Sequence, residues 1–68
     1  MYNYNKLKGL IREKYITNAN FANKIGISLT SLSNKLNNKV AWSQPEIYAS
    51  KIALDLTEKE IDEIFFTK

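Results

Sequence analysis

The sequence predicts an all-α domain of five short helices, and three observations predict it. Apolar residues recur at three- and four-residue steps along the chain, with none of the alternation that marks a half-buried strand. Residues able to cap a helix stand just ahead of four of the periodic stretches: Thr17, Ser28, Ser43 and Thr57. The chain has 68 residues, enough for one domain. A chain of that size buries only about 60% of its unfolded surface, so its core is small and needs most of the apolar side chains.

The first helix is expected over about Tyr4 to Lys14. Tyr4, Leu7, Leu10, Ile11 and Tyr15 form one stripe, while Lys6, Lys8, Arg12 and Lys14 occupy other faces. Gly9 weakens this helix by about 1 kcal/mol relative to alanine. The second helix runs from Asn18 to Ile25 after the cap Thr17, with Phe21, Ala22 and Ile25 inward. Gly26 ends it by supplying a left-handed backbone, and Ile27 plugs the turn. Ser28 caps the third helix, about Leu29 to Asn37, which Asn37-Asn38 closes because Asn tolerates the left-handed region.

Two capping boxes define the remainder. Ser43-Gln44-Pro45-Glu46 opens the fourth helix, which reaches about Leu54, with Pro in the first turn. Thr57-Glu58-Lys59-Glu60 opens the fifth, which reaches about Phe66. The fourth helix is apolar at Ile47, Tyr48, Ala49, Ile52, Ala53 and Leu54, wider than one stripe. Phe65 and Phe66 are adjacent and cannot share a narrow face. Phe65 suits the core with Ile61 and Ile64, and Phe66, with Tyr48 or Ile52, is left for either the core or a partner.

Residues 18–37 form the most informative segment: a short helix, a glycine turn and a second helix opened by Ser. This is a helix-turn-helix, whose second helix lies in the major groove of DNA. The charge distribution agrees. Residues 1–43 hold seven basic residues against Glu13 alone, whereas residues 44–68 hold three against six acids. The N-terminal part attracts a polyanion and the C-terminal part is expected to face away from one.

Composition narrows the alternatives. The chain has no Cys and no His, so it lacks the usual thiolate and imidazole metal ligands and the commonest general base. Neither an enzyme nor a cofactor is expected. The acids Glu58, Glu60, Asp62 and Glu63 read as first-turn and solvated residues of the fifth helix rather than a metal site. No apolar run approaches the roughly 18 residues of a membrane span, and the start does not read as a signal peptide, so the cytoplasm is expected.

The spacing of Ala22, Gly26 and Leu32 resembles the phage repressor and Cro type of helix-turn-helix regulator, the lambda-repressor-like family. The likeness is strongest to small Cro-like proteins of Gram-positive phages, through Tyr2-Asn3-Tyr4 and Leu36-Asn37-Asn38-Lys39. It covers nearly the whole chain, 1–68, as a single DNA-binding domain. One departure is Lys35, where the family carries an apolar residue; Leu36 is expected to take the inward role while the Lys35 stem lies along the edge.

The resemblance implies that Ser28, Leu29, Thr30, Ser31 and Asn34 reach base edges. The chemistry agrees: Asn pairs with adenine N6 and N7, hydroxyls donate or accept, and Leu29 packs on a thymine methyl. The third helix has no Arg, so A·T-biased readout is expected. Ser28 is the expected cap as well. Phosphate contacts are expected from Asn18, at a helix N-terminus, and from Lys24, Lys35, Asn37, Asn38 and Lys39. Trp42 and Ser43 are further candidates, although Trp42 better suits the core.

The expected function is a sequence-specific transcriptional regulator that occupies operator DNA. Tight binding by one such motif calls for a homodimer on half-sites about 34 Å apart. Helices four and five are the expected contact, and a monomer is the alternative. The rival reading is an interaction module that modulates a partner repressor.

Overall fold

A computed structural model describes residues 1–68 as five helices. They are α1 (Asn5–Tyr15), α2 (Asn18–Ile25), α3 (Leu29–Leu36), α4 (Gln44–Leu54) and α5 (Glu58–Phe65). The predicted order and number of helices hold, with ends shifted by one residue. α2 is the hub of the packing and touches α1, α3 and α4.

The caps set the boundaries. Thr17 Oγ accepts the Asn20 N–H at 3.1 Å, and Ser28 Oγ accepts the Ser31 N–H at 3.0 Å. Ser43 with Glu46, and Thr57 with Glu60, form complete capping boxes. Each such cap contributes about 1 kcal/mol by occupying a donor that has no intrahelical acceptor. Gly26 lies at φ 82, and the Ile27 N–H reaches back to the Ala22 carbonyl at 3.0 Å. That bond closes α2 and swings the chain into α3.

The core takes Tyr4, Leu7 and Ile11 from α1 and its cap, Phe21 and Ala22 from α2, and Leu32 and Leu36 from α3. Leu54, Leu56, Ile64 and Phe65 close it from the C-terminal side. Fully burying a side chain of this size is worth roughly 1.5–3 kcal/mol. Trp42 packs half-buried on the core, its ring centroid 5.0 Å from that of Phe65 and 6.4 Å from that of Tyr4. Its indole N–H is buried without an acceptor.

Non-local hydrogen bonds tie the ends together. Lys14 Nζ donates to the Leu54 carbonyl and the Tyr15 hydroxyl to the Ala53 carbonyl, both at 2.8 Å, so α1 satisfies the free end of α4. The Asn3 N–H donates to the Thr67 carbonyl at 2.7 Å. Phe65 is buried whereas Phe66, Tyr48 and Ile52 remain exposed. No helix is long and apolar enough to cross a membrane.

Candidate nucleic-acid interface

The two faces of α3 differ sharply. Leu32, Lys35 and Leu36 point inward. Leu29 and Thr30 are exposed and Asn34 is partly exposed. With Ser33 and Asn37 these residues fall at steps of one and four, which places them on one side of a helix. Neither Thr30 nor the Asn34 amide hydrogen-bonds to the protein, so both are free to meet a base edge. Ser28 and Ser31 are differently placed. Their hydroxyls lie 3.0 Å apart, and Ser28 serves as the cap.

The stretch of chain that carries this face holds no acid, because the sequence has none between Glu13 and Glu46. Lys24 and Lys39 are exposed and form no ion pair. Asn18 stands in the first turn of α2, where the leading backbone N–H groups have no intrahelical acceptor. Asn37 is exposed after α3, with its amide 3.5 Å from the Ser33 hydroxyl.

Two of the expected phosphate contacts are corrected. Lys35 is only 6% exposed, and its ammonium meets Glu46 at 3.4 Å. The stem runs under α3 and the charge is answered by α4, so the ammonium does not join the outward face. For Glu46, burial raises the carboxyl pKa, but hydrogen bonding to Ser43 and the Lys35 charge outweigh it and hold the group below the usual carboxylate range. Asn38 is also committed elsewhere. At φ 61 it turns its amide onto the Tyr2 backbone, accepting that residue's N–H at 2.9 Å and donating to its carbonyl at 2.8 Å. Trp42 belongs to the core, and the Ser43 hydroxyl caps α4.

Sequence reasoning passed over two residues of α1. Lys8 and Arg12 share an open cleft with Thr17 and Asn18 of the α2 entry, with Ser33 of α3 and with Asn37, its C-cap. Their four-residue spacing, off the apolar stripe, was a readable signal of a shared helix face. What it could not give was the position of that face beside α3.

Three of the four acids Glu58, Glu60, Asp62 and Glu63 serve in pairs and caps. Glu63 meets Lys6 at 2.9 Å, Glu58 meets Lys51 at 2.6 Å, and Glu60 completes the Thr57 box.

Fold and outward face define a small helix-turn-helix protein whose second motif helix, α3, is polar on its outer side and free of acids. The chain belongs to the family described as protein of unknown function, DUF739, which matches residues 1–68. Among solved structures it is similar to the modulator of repression (MOR) of the temperate bacteriophage TP901-1 from Lactococcus lactis, determined in solution. The two chains are 42% identical with a TM-score of 0.82, over 96% of this chain and 88% of that one. No curated protein matches.

Proposed function

We propose that this protein regulates transcription by binding operator DNA, with the outer face of α3 in the major groove. The observation that carries the reading is the free polar surface of Thr30 and Asn34, with Leu29 beside them, in an acid-free stretch of chain. Asn34 reads adenine, Leu29 packs on a thymine methyl, and Thr30 donates or accepts; Ser28 and Ser31 add hydroxyls at the groove edge. Asn18, Lys24, Asn37 and Lys39 fix the register through phosphates. The relative's description as a modulator of repression supports a role in repressor control.

Titration of the protein alone against duplex DNA tests this. Asn34→Ala is expected to cost about 1–3 kcal/mol on the preferred sequence and much less on random DNA. Lys39→Ala is expected to lower the log–log salt slope by about 1. If both variants bind like the parent, α3 is not the reader.

A second reading has its own support. Tyr48 and Ile52 are each 63% exposed on α4, and Phe66 is exposed just after α5. Such a surface serves either a second copy of this chain, for paired half-sites, or a partner repressor. Mobility shifts with and without an added repressor separate direct DNA binding from modulation through a partner.

A further inference from the structure

The cleft beside α3 has no carboxylate in its lining. Lys8, Arg12, Thr17, Asn18, Ser33 and Asn37 supply its polar walls, and it encloses about 540 Å³. Both cations are exposed and unpaired. That sets them apart from Lys6, Lys35 and Lys51, each of which meets a glutamate. Gly9 lies between them in the cleft lining, and a Cβ there would meet nothing within 4 Å. Internal packing therefore does not account for a helix-weakening glycine at this position. It leaves the backbone without a side chain in the cleft wall between the two cations.

We infer that Lys8 and Arg12 clamp the DNA backbone, taking phosphates next to the base pairs read by α3 and extending the contact from the major groove onto α1. This rests on the DNA-binding reading above. Arg12 offers a planar fork that suits two phosphate oxygens, and Lys8 offers a point charge one turn away. The bare backbone at Gly9 lets the sugar–phosphate chain lie close between them. Such contacts carry no sequence information, so they act on every duplex alike.

The test compares the parent, Lys8→Ala/Arg12→Ala and Lys59→Ala. Fluorescence anisotropy is read across a salt series on a duplex enriched from a random pool and on a random duplex of equal length. Circular dichroism checks that each variant is folded. The double variant is expected to lose about 2 from the salt slope, at about 0.9 per phosphate. Its affinity is expected to fall by the same factor on both duplexes, while Lys59→Ala stays at the parent slope. Gly9→Gln is expected to raise the melting temperature yet weaken both complexes. A double variant that keeps the parent slope while Asn34→Ala still loses its preferred sequence overturns the clamp and spares the α3 reading. A parent that binds neither duplex overturns both. A double variant that binds DNA normally but no longer binds poly-glutamate also overturns the clamp, and assigns the cleft to an acidic protein segment.

Discussion

Ile16 is held where a β-branched residue is costly. Its φ is 71 and ψ −50, and the Thr17 N–H donates to the Tyr15 carbonyl at 2.7 Å, which makes a γ-turn of the rarer hand. Such a conformation costs of order 1–3 kcal/mol, and Ile16 is 71% exposed, so its side chain returns little burial energy. Ile16→Gly is expected to stabilise the fold by about 1 kcal/mol after the entropy of glycine is set against the relieved strain. Denaturant unfolding checks this, and a loss of stability contradicts it. The buried Lys35–Glu46 pair makes a second residue-scale prediction. Lys35→Met is expected to cost on the order of 1–2 kcal/mol, because it strands a half-buried carboxylate. Adding Glu46→Gln is expected to recover most of that loss, since Gln still serves the capping box. The salt slope of DNA binding stays unchanged in the double variant; a slope lowered by about 1 would return Lys35 to the interface.

At the scale of elements, the helix boundaries were legible because caps are short-range. Thr17, Ser28, Ser43 and Thr57 each act on the backbone N–H three residues away, so their spacing appears in the sequence. What was hidden depends on distant partners. Nothing near Lys35 announces that Glu46 of α4 faces it, and nothing near Asn38 announces the Tyr2 backbone. The position of Lys8 and Arg12 beside α3 is hidden for the same reason. The caps and pairs also fix how stability follows pH. Glu58 and Glu63 are held below the usual carboxylate range by hydrogen bonds from Lys51 and Lys6, and Glu60 by the Thr57 backbone N–H. With folded values depressed, their contribution is complete above the ordinary glutamate value of 4.5 and is lost as pH falls through the folded values. The melting temperature is therefore expected to drop on acidification below 4.5, and Glu60→Gln to flatten that drop. An unaltered acid profile for Glu60→Gln contradicts the capping role of its charge.

Across the whole molecule, the asymmetry of charge becomes an asymmetry of faces. The C-terminal acids answer Lys6, Lys35 and Lys51, leaving Lys8, Arg12, Lys24 and Lys39 unpaired in the N-terminal region that also carries α3. Lys8 and Arg12 line a cleft beside α3, while α4 and the end of α5 keep Tyr48, Ile52 and Phe66 exposed, so the molecule has a polar cationic cleft and an apolar patch. The first suits a duplex and the second a protein, and a small regulator that engages both has a use for each. The most direct measurement is selection of duplexes from a random pool by the protein alone, at physiological salt. Enrichment of an A·T-containing motif that Asn34→Ala no longer enriches is the predicted result. Recovery of no motif by the parent protein, or of the same motif by the variant, contradicts a reading helix at α3.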